Sequence, residues 1–73
     1  MVESFILVEG RVKEEKFRFS LSNAKQLVIG SVAGTQTIIH LAATTHKDLS
    51  NAIQKFAKVE GVEEVTTLTV RNR

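Results

Sequence analysis

The hydrophobic positions of this 73-residue chain change period along its length, and the changes predict its elements. Apolar and β-branched residues alternate or run together in four short stretches, as strands require, at 2–8, 27–32, 37–43 and 63–70. Between 48 and 59 the apolar residues instead recur at helical spacing, because Leu49, Ala52, Ile53, Phe56 and Ala57 fall on one face. The pattern therefore predicts four strands, with an α-helix before the last of them.

The limits of this helix carry their own signals. Thr45 is a good N-cap residue, and Asp48 follows it by three positions, as in a capping box. Lys55 and Lys58 lie in the last turns, where a cation suits the helix dipole. Gly61 follows the last periodic residue and can adopt the left-handed conformation that closes a helix.

The stretch from 11 to 26 has two interpretations. A helix over 14–24 places Phe17, Leu21 and Ala24 on one face, but it leaves Phe19 off that face. Residues 16–22 also alternate with period two, as in a half-buried strand. We predict the helix, because a strand here would leave the adjoining sheet without a covering layer.

The predicted order is β-α-β-β-α-β in a single domain, 1–73. Gly30 interrupts the second strand and is expected to mark a bulge, and residues 33–36 form a tight connection into the third strand. With right-handed crossovers the order gives an α+β, ferredoxin-like fold, a four-stranded antiparallel sheet with two helices on one face.

Two helices cover only one face of such a sheet, yet the central strands are apolar on both sides. In the first strand Phe5 and Leu7 lie opposite Ile6 and Val8, and in the third Ile38 and Ala42 lie opposite Ile39, Leu41 and Ala43. A monomer would expose this second face, so we predict a homo-oligomer built on a dimer with sheet-to-sheet packing. The alternative is that the outer residues are only β-branched filler.

Composition narrows the classes of function. Without Cys there are neither disulfides nor thiolate metal sites, and His40 and His46 have no carboxylate cluster beside them. We therefore expect no metal and no cofactor. The net charge of +2 is too small to indicate nucleic-acid binding. No membrane span or signal peptide is evident, and a cytoplasmic location is expected.

The sequence also shows no arrangement of residues that is typical of a catalytic site. His40 lies mid-strand in an apolar run, where a partly buried, hydrogen-bonded imidazole is the ordinary interpretation. Gly30 and Gly34 precede a strand rather than a helix, so they form no phosphate-binding fingerprint. RNA-recognition domains share this topology, but the third strand lacks the aromatic residues that would stack on bases. We expect a non-enzymatic protein.

Residues 28–70 resemble the ligand-sensing and oligomerisation module, the RAM domain, of the Lrp/AsnC family of transcription regulators. The likeness is carried by Ser31-Val32-Ala33-Gly34 and Ile38-Ile39-His40-Leu41-Ala42-Ala43, by Asp48-Leu49 and Val59-Glu60-Gly61-Val62 at the ends of the helix, and by Thr66-Thr67-Leu68-Thr69-Val70. The family usually has an Asp where this chain has Thr37. Its regulators also carry a helix-turn-helix domain, so the chain resembles the stand-alone module.

This resemblance implies a sheet-to-sheet dimer, often within a ring of dimers, that senses a small metabolite such as an amino acid. It implies modulation of transcription through Lrp/AsnC-type partners without direct DNA binding. The implied effector contacts are the hairpin and the loop before the second helix, here Gly34, Thr35, Gln36 and Thr37 with Thr44, Thr45 and His46. The alternatives are a small dimeric ferredoxin-like enzyme and a purely structural oligomer.

Overall fold

The computed structural model describes residues 1–21, 23–32 and 35–72. The strands are β1 (Val2–Gly10), β2 (Ala24–Val32), β3 (Gln36–Ala43) and β4 (Val62–Asn72), and the α-helix α1 (His46–Ala57) joins β3 to β4. A 3₁₀ turn, Glu14–Phe17, lies between β1 and β2. The four strands and the helix lie where the hydrophobic pattern predicts them, although most extend beyond the predicted limits.

The four strands form one antiparallel sheet in the order β2-β3-β1-β4. The two strands that are apolar on both sides, β1 and β3, lie at the centre, and β2 and β4 form the edges. Strand order and direction are those of the predicted ferredoxin-like fold, so the predicted fold class is confirmed, with one α-helix rather than two.

The two faces of the sheet differ in cover. On the side of α1, alternate residues of β1 and β3 are buried together with the inner face of the helix, and this core comprises Val2, Ile6, Val8, Ile39, Leu41, Ala43, Leu49, Ala52 and Phe56, with Phe17 from the connection. The opposite side, which we call the open face, has no covering element among the described residues. The division of apolar residues between the two faces follows the prediction.

Helix α1 begins as its sequence predicts. The Thr45 hydroxyl accepts a hydrogen bond from the Asp48 backbone N–H at 3.1 Å and donates to the Asp48 carboxylate at 3.0 Å. One of the unpaired donors of the first turn is thereby satisfied. The helix ends at Ala57, and Gly61 takes its positive φ of 95° in the turn that leads into β4.

The predicted helix over 14–24 is wrong. Among the described residues of this segment only the 3₁₀ turn is helical, and 18–21 belong to neither helix nor strand, so the strand interpretation of 16–22 is also wrong. The physical reason is Phe19. Its ring packs on Phe56 at a centroid distance of 4.9 Å, while Phe17 packs on the same ring at 5.8 Å. Residues two apart point the same way only on non-helical backbone, so packing both rings on Phe56 excludes the helix.

Three register shifts interrupt the pairing of the strands, and one of them lies between the β4 partners of Glu9 and Gly10. The register of β2 shifts between Val28 and Gly30, which confirms the bulge predicted at Gly30. The register of β4 shifts between the partners of Phe5 and Ile6, so that Leu68 is the extra residue. A regular strand would place Thr66 and Val70 on one face. Because a bulge reverses the alternation of side chains, Thr66 instead pairs with Leu7 on the open face and Val70 with Ser4 on the helix side.

Candidate functional site

The open face presents its side chains in rows that run across the strands, because directly paired residues of antiparallel strands lie on one face. One central row contains Leu27, His40, Phe5 and Thr69, and the next contains Gly30, Ile38, Leu7 and Thr66. The His40 ring lies against the Phe5 ring at a centroid distance of 4.9 Å. Leu27 is 60% exposed. This centre is an apolar surface with one imidazole, and it contains no acid–base pair.

The residues predicted to contact an effector fall into two groups. Thr35, Gln36 and Thr37 lie where β3 begins, whereas 44–46 lie beyond its end. At about 3.3 Å per residue, the two ends of β3 are roughly 23 Å apart. The structure therefore does not bring the two groups together within one chain. Gly34 lies outside the described residues.

Most of the second group has a structural role. Thr45 caps α1, and the Thr44 backbone N–H donates to the Asn23 carbonyl at 3.1 Å, which ties the start of β2 to the end of β3. His46 is the first residue of α1 and is exposed. In the first group Thr37 is buried on the helix side of the sheet. Thr35 and Gln36 are exposed at the hairpin.

The hairpin group borders a shallow depression, which we call the hairpin pocket. It has a volume of about 210 Å³ and is lined by Glu9, Gly10, Arg11, Thr35, Gln36 and Glu63. The Gly10 N–H donates to the Thr35 carbonyl at 2.9 Å, and this bond joins the end of β1 to the hairpin. Three separate parts of the chain, 9–11, 35–36 and 63, thus form the walls of the pocket.

Two glycines fix the corner behind this pocket. Gly10 has a φ of 133°, and a Cβ there would overlap the Gly61 carbonyl oxygen and approach the Glu63 backbone N at 2.9 Å. A Cβ on Gly61 would lie 2.7 Å from the Arg11 carbonyl oxygen. The backbone after β1 and the backbone before β4 therefore touch directly, as only glycine allows. This contact brings Arg11 and Glu63 to the same pocket.

The hairpin pocket combines both signs of charge in a small space. Arg11 offers a planar set of donors suited to a carboxylate, and Glu9 and Glu63 offer acceptors suited to an ammonium group. Gln36 adds an amide that donates and accepts. Within the described residues no group of three His, Cys, Asp or Glu side chains is placed to hold a metal ion. The chemistry available is ionic and hydrogen-bonded recognition.

Sequence reasoning identified Thr35 and Gln36 but missed Glu9, Arg11 and Glu63. Their positions offer one weak signal, since each stands next to a glycine-containing turn at the end of a strand. No pattern along the chain relates residue 11 to residue 63, because only the sheet order places β1 beside β4.

No family model matches the sequence, and no curated protein matches it. Among solved structures, the chain is similar to the ACT domain from GTP pyrophosphokinase of Chlorobium tepidum, with a TM-score of 0.59 and 17% sequence identity. The superposition covers 90% of this chain and 96% of that domain. At this identity the likeness establishes a shared fold. Within the described part of the chain, no helix has the length and apolar character needed to cross a membrane.

Proposed function

We propose that this protein is a non-enzymatic regulatory module that senses a small ligand and assembles through the open face of its sheet. The observation that carries the proposal is the hairpin pocket, which is lined by one arginine, two glutamates and one glutamine at the edge of a fold shared with an ACT domain. The likeness to such a domain favours a small-ligand-sensing module over other uses of the fold.

The ligand class follows from the charges of the pocket. A zwitterion with a carboxylate and an ammonium group, such as an amino acid, matches Arg11 on one side and Glu9 and Glu63 on the other. Thr37 stands where the Lrp/AsnC modules usually have an Asp. The two glutamates supply here the negative charge that Thr37 lacks. A volume of about 210 Å³ suits a ligand of a few heavy atoms rather than a nucleotide.

Assembly follows from the open face. Phe5, Leu7, Ile38 and Ala42 are half-buried without a covering layer, and Leu27 is mostly exposed. A second copy packed face to face would remove this apolar surface from water. We propose at least a dimer at micromolar concentration, and a ring of dimers as the higher assembly.

The finer part of the proposal concerns partners. The resemblance of residues 28–70 to the module of the Lrp/AsnC regulators favours a regulator of that type as the partner. In that role the chain would modulate transcription without contacting DNA itself. The net charge of +2 agrees with this role, since it gives little attraction for phosphate.

The direct test is a thermal-shift screen across amino acids and common metabolites, followed by isothermal titration of any hit. A ligand that binds the folded protein raises its melting temperature. We expect Arg11→Gln and Gln36→Ala each to weaken binding by about tenfold, because each variant loses a hydrogen bond to the ligand. The bond lost in Arg11→Gln is a charge-assisted one. His46→Ala is the matched control, because it removes an exposed residue of the predicted set at the other end of β3.

The outcomes separate the alternatives. Loss of affinity in His46→Ala alone would move the site to the start of α1. A stable assembly that responds to no metabolite would favour a purely structural oligomer. Turnover of a hit compound would favour the small dimeric enzyme, and a stable monomer by light scattering would remove the assembly argument.

A further inference from the structure

The charges at the two ends of the open face have opposite sign. At one end a row across the strands contains Lys25, Ala42, Glu3 and Arg71, and we call it the basic end. At the other end the row contains Gln36, Glu9 and Glu64, and we call it the acidic end. The basic end has two cations and one carboxylate, and the acidic end has two carboxylates. The apolar rows lie between them.

This polarity bears on how a second copy can pack. Two identical sheets that stack face to face are related by a two-fold axis lying between them. If the axis runs across the strands, the basic end of each copy covers the acidic end of the other. If it runs along the strands, like ends cover like ends. The first arrangement places Glu3 opposite the partner's Glu9, but it also covers each basic end, with two cations and one carboxylate, by an acidic end with two carboxylates. The net charges of the ends are therefore complementary only in the first arrangement.

We infer that this protein forms a face-to-face homodimer whose two-fold axis runs across the strands, with Arg71 of each copy opposite the partner's Glu64. The inference rests on the assembly part of the proposed function and adds its orientation. In this arrangement each strand covers the same strand of the other copy, in the opposite direction. Arg71 and Glu64 both belong to β4, so they meet twice, once at each end of the interface.

The other axis would be unfavourable at both ends. It would place β2 over the partner's β4, so that Lys25 would lie opposite the partner's Arg71. It would also gather the four carboxylates of Glu9 and Glu64 from the two copies at one end. Like charges brought together across an interface oppose association. The charge pattern therefore selects one orientation, while the apolar rows supply the attraction common to both.

The orientation also changes the geometry of the predicted effector contacts. Because β3 covers the partner's β3 in the opposite direction, the Gln36 end of one copy stacks on the Thr44 end of the other. The two ends of β3 are roughly 23 Å apart within one chain, but stacked sheets are only about 10 Å apart. Residues that one chain separates would thus flank a common edge of the dimer.

The test is the dissociation constant of charge-reversal variants, measured by sedimentation equilibrium at low salt. Arg71→Glu and Glu64→Arg should each weaken the homodimer by about tenfold, because each creates two like-charge contacts. An equimolar mixture of the two variants should recover a tight heterodimer, in which both contacts are again opposite in charge. Lys47→Glu, on exposed helix surface behind the sheet, makes the same change of net charge as Arg71→Glu and should leave the constant unchanged.

Each alternative gives a different result. If Arg71→Glu tightens the dimer, the axis runs along the strands and the inference is overturned. If both charge reversals leave the dissociation constant unchanged while Leu27→Asp dissociates the dimer, the proposed orientation is wrong but assembly through the open face is supported. If Leu27→Asp also leaves the dissociation constant unchanged, the open face is not the interface, and the assembly part of the proposed function fails together with the inference. Ligand titration remains an independent test of the hairpin pocket.

Discussion

The two connections that cross the covered face of the sheet differ in how their structure is specified. The connection between β3 and β4 contains α1, whereas the described residues between β1 and β2, 11–21 and 23, contain a 3₁₀ turn and otherwise irregular chain. Both deliver aromatic rings to one cluster around Phe56. The comparison shows that a largely irregular connection can pack its side chains into the core as a helix does.

Local signals account for the difference. At the start of α1, Thr45 caps the first turn with its hydroxyl, while Lys13 before the 3₁₀ turn makes no side-chain cap. The first connection is held instead by the Phe17 ring, which is 1% exposed, and by a hydrogen bond from the Gln26 side-chain amide to the Phe17 carbonyl. Residues close in sequence therefore specify the helix, whereas residues that are distant in sequence but close in space specify the other connection.

The largest expected effect is that of Phe56→Ala. The ring is fully buried and contacts both Phe17 and Phe19, so its removal takes away the group that unites the two connections. We expect the free energy of unfolding to fall by about 3–5 kcal/mol, measured by urea denaturation. Gln54→Ala, on the exposed side of the same helix, should change it by less than about 0.5 kcal/mol. Equal effects in both variants would mean that the helix register is wrong.

Phe17→Ala should have a smaller effect. Its loss should lie near the lower end of the range for buried phenylalanine, about 3 kcal/mol, because an irregular connection can collapse further into the vacated space than a helix can. In the double variant with Phe56→Ala the two losses should not add, since the rings are in contact and share about 0.5–1.5 kcal/mol. Strict additivity in this cycle would show that the two connections do not share one core.

Thr45→Ala should have the smallest effect of the three. Without the hydroxyl, the Asp48 N–H loses its 3.1 Å acceptor, and the expected loss is about 1 kcal/mol by thermal or chemical unfolding. Lys13→Ala is the matched variant at the start of the other connection. It should be neutral within about 0.5 kcal/mol, because no side-chain cap is lost there. A similar loss at both positions would remove the contrast between the connections.

In the candidate site, as in the fold, some residues were predicted from local signals in the sequence and others are brought together only by tertiary contacts. The hairpin residues Thr35 and Gln36 are part of the hairpin pocket, and turn chemistry and the family resemblance indicated them from the sequence. Arg11 and Glu63 were not predicted, because they line one pocket only through the close approach of Gly10 and Gly61, which are far apart along the chain. Thr44 and Thr45 were predicted as contacts, and the structure gives both a local role in holding the chain.

The sequence by itself determined the elements whose signals repeat locally: four strands, the capped helix α1, the bulge at Gly30 and the division of apolar residues between two faces. Only the tertiary structure decided the conformation of residues 11–21, the register of β4 after Leu68 and the walls of the hairpin pocket. The physical reason is the range of the interactions. Caps and periodic stripes act within one or two turns, whereas Phe17 and Phe19 pack on Phe56, which is distant in sequence and is brought to them by the fold.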